Sequence, residues 1–171
     1  MHILLTRPLE DSKEFIVKLK SLGHKVSHLP VIEVNKLKIE KIKFNEYSGI
    51  IFTSVNAVRF LDTKDINKSI YCFCVGSVTE RSVLKKGFQN VFAADGNVDN
   101  LKEIIIRNFN QNTGKLLYVS GEMISSNLHK KLTNQDYKID RIINYKVDHI
   151  KKFDEKFIDN LKKEIPEIIY V

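Results

Sequence analysis

The chain has 171 residues, 43% of them hydrophobic, with seven Gly, three Pro, no Trp, and 28 Lys plus Arg against 21 Asp plus Glu for a formal charge of +7. So little Gly and Pro excludes collagen-like and low-complexity chains, and the apolar fraction excludes wholesale disorder. At roughly 100–200 residues per domain, length alone predicts one globular domain able to bury a core.

Residues 3–5 read as a strand and residues 9–22 as a helix, with Phe15, Ile16, Leu19 and Leu22 on one face and Gly23 as its stop. Residues 25–34 read as extended. After a Lys-rich stretch, residues 49–52 form a strand, and Thr53-Ser54 caps a helix carrying Ala57, Val58, Phe60 and Leu61. A strand at 70–75 leads through Gly76-Ser77 into a helix closed by Gly87. A strand at 90–93 leads through Asp95-Gly96 into a helix at 99–109, and a strand at 116–119 leads through Ser120-Gly121 into a helix ending near Leu132. Residues 138–147 are extended, residues 154–163 helical, and Pro166-Glu167 opens a last strand at 168–171. Strands alternating with helices of this length predict doubly wound parallel sheets, an α/β fold.

In such sheets a ligand sits at the carboxyl ends of the strands, where backbone N–H groups and helix N-termini point outward. The turns there are Thr6-Arg7-Pro8, Thr53-Ser54, Gly76-Ser77, Asp95-Gly96 and Ser120-Gly121, a set of hydroxyls, glycines and one Arg that suits an anion. No Gly-x-Gly-x-x-Gly follows the first strand and no Walker-type Gly-Lys-Ser/Thr occurs, so a dinucleotide or nucleoside triphosphate has no support. None of the five histidines has an evident partner: His24 and His28 flank a strand, His2 and His149 are placed at the periphery, and His129 lies on a helix. No pair of acids is marked by spacing as an acid/base couple. Cys72 and Cys74, two apart in an apolar run, share one face of a strand and read as buried thiols, since a metal site needs more ligands.

Of the basic residues 23 are Lys, spread along nearly every amphipathic segment from Lys13 to Lys163. A nucleic-acid reader concentrates Arg and Lys on one face with aromatic or groove-entering elements between them. The scatter reads instead as solvated helix faces, with a general attraction for anions as its by-product. The N-terminus is interrupted too early for a signal peptide and no apolar run approaches the roughly 18 residues of a membrane span, so no membrane partner and a cytoplasmic location are expected.

Taken in order, several stretches resemble uroporphyrinogen-III synthase. These are Ile3-Leu4-Leu5-Thr6-Arg7-Pro8 followed by a helix and Leu22-Gly23-His24; Leu29-Pro30-Val31-Ile32-Glu33; and Ile50-Ile51-Phe52-Thr53-Ser54-Val55-Asn56-Ala57-Val58. Cys74-Val75-Gly76-Ser77-Val78-Thr79, residues 84–87, Ala94-Asp95-Gly96 and Tyr145 in its strand complete the set. The resemblance implies two doubly wound parallel-sheet domains joined by a two-stranded linker ladder. Residues 1–34 with 148–171 would form domain one, residues 38–142 domain two, and residues 35–37 and 143–147 the crossings. It also implies an enzyme that closes the linear tetrapyrrole hydroxymethylbilane to uroporphyrinogen III, with loss of water and inversion of the last ring through a spiro intermediate. A monomer using neither metal nor organic cofactor is implied as well.

On the same resemblance Tyr145 is the expected catalytic residue, placed to hydrogen-bond the departing hydroxyl; a phenol, with an ordinary pKa near 10, is protonated at neutral pH. Thr6, Arg7, Thr53, Ser54, Asn56, Gly76, Ser77, Thr79, Gly96, Ser120 and Gly121 are the expected substrate-binding residues, offering hydroxyls and backbone N–H groups to eight carboxylates. Two local departures stand out. Ser120-Gly121-Glu122 stands where the family often has Arg-Gly, and Glu80 follows Thr79 where a small residue is usual. The family also continues through further βα units past the strand at 168–171, so domain one is expected to be incomplete and the sequence part of a longer protein. Two other readings compete, a non-catalytic α/β anion-binding module and a basic nucleic-acid-associated domain.

Overall fold

Short apolar runs and amphipathic helices alternate through the computed structural model, which describes residues 1–171. The first elements are β1 (His2–Leu5), α1 (Leu9–Ser21), β2 (Lys25–His28), β3 (Ile32–Lys36), β4 (Tyr47–Phe52), α2 (Val55–Phe60), β5 (Tyr71–Val75) and α3 (Ser77–Lys85). There follow β6 (Asn90–Ala94), α4 (Val98–Asn108), β7 (Lys115–Gly121), α5 (Leu128–Thr133), β8 (Ile139–His149), α6 (Glu155–Lys163) and β9 (Ile168–Tyr170). Length alone predicts one domain, but the backbone packs as two units, residues 1–35 with 147–171 and residues 36–146.

The first unit holds a parallel sheet of order β2-β1-β9. Ile3 and Leu5 of β1 and Leu19 of α1 form its core, with Ile16 and Val26 against them. The buried face of α1 is therefore Ser12, Ile16 and Leu19. Leu22, expected on that face, is 63% exposed because the helix has already ended, and Gly23 at φ +81° turns the chain away. Phe15 reaches the Tyr170 ring, with centroids 5.1 Å apart. His2, expected at the periphery, is buried in β1, where its Nε2 shares a hydrogen bond with Ser27 Oγ.

The extended stretch expected at 25–34 is broken. Leu29 and Val31 continue the ladder onto Leu5 and Thr6, but Pro30 has no N–H to give, and β3 then pairs in the other sheet.

That sheet has the order β3-β8-β7-β4-β5-β6, and β7, β4, β5 and β6 run parallel, with β8 parallel to β7. Alternation splits its strands cleanly between two faces. Ile51, Phe73 and Tyr118 stand in register on one, packed with Leu101 and Ile105 of α4 and Leu128 and Leu132 of α5. Phe52, Cys74 and Val119 stand in register on the other, whose strands carry α2 and α3. Helices on both faces make the unit doubly wound.

Gly49 in β4 marks how closely that interior is filled. A Cβ there would stand 2.6 Å from Leu116 Cδ2 and 3.4 Å from Phe109 Cε2, both in the core. Gly49→Ala should therefore lower stability by about 1–3 kcal/mol through overpacking, read as a lower urea midpoint at unchanged slope.

Cys72 and Cys74 are buried and free, and burial pushes both thiols up to about 12, Cys72 helped by Cys74 and Cys74 by Glu80. The neutral form is thus held in the native state, while unfolded thiols ionise near 9. Their contribution to stability is complete below about pH 9 and declines as pH rises toward 12, at up to about 1.4 kcal/mol per pH unit for each thiol. Urea melts between about pH 8 and about pH 10.5 should show that decline, and a thiol reagent at about pH 8 should label the protein only after unfolding.

Candidate active site

A cavity of about 260 Å³ opens at the carboxyl edge of the six-stranded sheet. Residues following β4, β6 and β7 line it, with Val75 from the end of β5, Tyr118 and Gly121 from β7 and Tyr145 from β8. Thr53, the first residue past β4, shares a 3.1 Å hydrogen bond with Tyr118 Oη. Ser54 accepts from the Asn56 N–H at 3.2 Å and so starts α2. Gly96 takes φ +95° in the turn before α4, and Asn97 caps that helix by accepting from the N–H groups of Asp99 and Asn100. The helix N-terminus at the cavity rim carries partial positive charge, while no Lys, Arg, Asp or Glu lines the cavity.

Tyr145 owes its place to an irregularity. β7 and β8 pair evenly from Leu116 with Ile139 to Ser120 with Ile143; an extra residue, Asn144, then shifts the register so that Gly121 faces Tyr145. Asn144 is fully buried and its Nδ2 donates to Ala57 O at 2.8 Å, tying the bulge to α2. Past the bulge the Glu122 N–H donates to Tyr145 O at 3.0 Å. The Tyr145 ring lies directly over Gly121, where a Cβ would come within 2.6 Å of Cζ, and Phe60 stands 6.3 Å away, centroid to centroid. No protein group hydrogen-bonds the Tyr145 hydroxyl. Behind this pair, Arg141 donates from Nε to Ser120 Oγ at 2.8 Å and from Nη2 to Gly121 O at 2.8 Å and Glu122 O at 3.1 Å. Burial raises the Tyr118 phenol, and the Thr53 hydrogen bond and the Arg141 charge only partly offset it, so Tyr118 stays neutral.

Of the residues expected from sequence, Thr53, Ser54, Gly96, Gly121 and Tyr145 meet at this cavity. The others lie elsewhere. Asn56 sits in the first turn of α2 with its Oδ1 accepting from Arg59 Nη1. Gly76, at φ +80°, precedes α3, and no side chain caps that helix; Ser77 is exposed and Thr79 buried. In the other unit, Thr6 is buried with its hydroxyl and N–H on Tyr170 O, while Arg7 is exposed and its carbonyl accepts from His28 Nε2 at 2.8 Å.

Ser120-Gly121 is not the turn into a helix that the sequence pattern predicts. β7 runs on through Gly121, Ser120 is 1% exposed, and its hydroxyl is occupied by Arg141 and Gly121 O. α5 begins only at Leu128, after a loop at 122–127 and an Asn127 cap. Tyr118, Asn97 and the loop residues 123–126 are lining residues the sequence did not reveal. Nor did it reveal Arg141, although a lone Arg inside Ile139-Asp140-Arg141-Ile142-Ile143 is a signal that it bonds something fixed. No three His, Cys, Asp or Glu side chains come together as a metal site.

A sequence model of the family described as uroporphyrinogen-III synthase HemD matches residues 13–171. The chain belongs to that family. Two solved uroporphyrinogen-III synthases share its fold. The enzyme of Helicobacter pylori 26695 is 18% identical with a TM-score of 0.63, and the match covers 99% of this chain and 72% of that one. A mutant of the Thermus thermophilus enzyme is 16% identical with a TM-score of 0.57, covering 99% of this chain and 71% of that one. No curated protein matches the chain. As a uroporphyrinogen-III synthase family member, the chain is of an enzyme type, a lyase, whose substrate is a small molecule.

Proposed function

We propose that the chain serves tetrapyrrole biosynthesis as a uroporphyrinogen-III synthase and that Tyr145 carries the step in which hydroxymethylbilane loses water. The observation that carries this reading is the Tyr145 hydroxyl, which no protein group engages, on a ring seated over Gly121 at a cavity with hydroxyls and a helix N-terminus on its rim. A phenol so held donates a hydrogen bond to the departing hydroxyl, which leaves as water once protonated. The cation left behind then reacts with the pyrrole carbon presented to it, so the remaining task of the protein is orientation and charge stabilisation.

At about 260 Å³ the cavity lies below the usual range of about 300–1,000 Å³ for small-molecule sites, which suits one substituted ring of the substrate rather than all four. Thr53, Ser54 and the backbone around Gly96 supply donors for its carboxylates. Gly76, Ser77 and Thr79 add a second set, because the uncapped first turn of α3 leaves its N–H groups to an anion. Thr6, Arg7, Asn56, Ser120 and Gly121 complete the substrate-binding set in this reading. Ser120 and Gly121 contribute by shaping the wall, since the Ser120 hydroxyl already bonds within the protein.

The working form in this reading is a cytoplasmic monomer that acts on hydroxymethylbilane without nucleic acid. No helix is long and apolar enough to cross a membrane, and the lysines are scattered rather than gathered on one face. Incubation of the gene product with hydroxymethylbilane, followed by separation of the isomers, tests the proposal. Uroporphyrinogen III is expected; isomer I alone, which the bilane forms unaided, would remove the enzyme reading.

A further inference from the structure

We propose that Arg141 is a positioning residue for Tyr145: by bracing the end of β7 across the bulge at Asn144 it fixes the Gly121 surface on which the tyrosine ring rests. The proposal builds on the reading of Tyr145 as the residue that meets the substrate. In an even ladder residues 141, 143 and 145 of β8 would share one face. The bulge breaks that alternation and turns Tyr145 toward Gly121. Bulges also weaken the pairing they interrupt. Here the interruption falls at the last two residues of β7, beside the cavity, so the ladder alone holds the Tyr145 seat loosely.

Arg141 supplies the missing restraint. Its guanidinium reaches three successive residues of the partner strand's end, Ser120 Oγ, Gly121 O and Glu122 O, at 2.8, 2.8 and 3.1 Å. The planar fork fixes their mutual geometry, which a lysine ammonium cannot reproduce. The Glu122 N–H donates to Tyr145 O and Gly121 pairs with Tyr145 in register, so two of the three residues Arg141 holds meet the backbone of Tyr145. Arg141 itself is absent from the cavity lining; its hydrogen bonds reach the site through Ser120, Gly121 and Glu122, and its charge bears on the Tyr118 phenol as well.

The test uses the chain labelled with ring-¹³C tyrosine, in which the Tyr145 resonance is assigned by its loss in Tyr145→Phe. Arg141→Met is expected to shift and broaden the Tyr145 resonance while Tyr137, whose hydroxyl donates to Phe109 O, keeps its position. The kcat for isomer III should fall about tenfold with KM changed less than about twofold, because the chemistry loses alignment and the carboxylate contacts stay. Arg141→Lys should recover part of that loss. In a Tyr145→Phe background Arg141→Met should cost no further kcat, since it acts through the residue already removed. An unmoved Tyr145 resonance, or losses that add in the double variant, would overturn the proposal. Should Arg141→Met fail to fold, Ser120→Ala removes one of the three contacts and is read by the same resonance and the same cycle. The resonance decides positioning even where the wild-type chain gives no isomer III, and that latter outcome counts against the functional reading instead.

Discussion

Tyr145→Phe should lower the rate of uroporphyrinogen III formation by about 100-fold or more, with isomer I taking its place among the products. The substitution deletes one oxygen that bonds to nothing in the protein and keeps the ring in its seat between Gly121 and Phe60. Stability should therefore be unchanged within about 0.5 kcal/mol. Placing a proton donor at a leaving group contributes roughly 10²–10⁴-fold to a rate, and the role proposed for Tyr145 assigns that contribution to its phenol. KM should move little, because the carboxylates are met by other groups, and a fall confined to kcat marks an interaction made in the transition state. Isomer analysis and thermal melts on the same preparation separate the effects. A Tyr145→Phe enzyme as fast as the wild type would end the assignment, and one that melts early would point to packing instead.

The alternation of strands and helices was legible because each element carries its own period and its own punctuation. Ser54, Gly76 and Gly96 stand where the pattern placed them, between a strand and the helix after it. Ser120-Gly121 carries the same letters and does something else. Hydroxyl and glycine mark a turn only when nothing pairs with them, and here β8 extends the ladder to Gly121 while Arg141 takes the Ser120 hydroxyl. That depends on a strand distant in sequence, which local chemistry cannot report. The Thr53 bond to Tyr118 is of the same kind, since it exists only because β4 and β7 lie in register. Tyr145 became a candidate through family resemblance; the features that hold it, the Asn144 bulge and the bare surface of Gly121, come from pairing and leave no local trace. His2 shows the opposite failure, a polar letter near the terminus that a parallel strand on each side buries.

Gly121→Ala should cost activity far more than stability, and that separation is what singles out the seat of Tyr145. The added Cβ would lie 2.6 Å from Cζ, 2.8 Å from Cε2 and 2.9 Å from Oη of Tyr145, where carbon atoms normally stand about 3.5–4.0 Å apart. The ring must retreat by about 1 Å. Gly121 lies in a strand outside the left-handed region, so alanine meets no backbone strain there. The three nearest atoms all belong to the far end of one side chain, which lines the cavity and can shift toward that open space. A loss of about 1 kcal/mol or less is expected in urea melts, in contrast to Gly49→Ala, whose Cβ meets the packed interior. Catalysis has no such tolerance, since a misplacement of about 1 Å can cost about 100-fold in rate. The variant should thus approach Tyr145→Phe in kcat while keeping the hydroxyl, and combining the two should add little. Near-normal turnover in a well-folded Gly121→Ala enzyme would mean that the ring position is not what the reaction depends on.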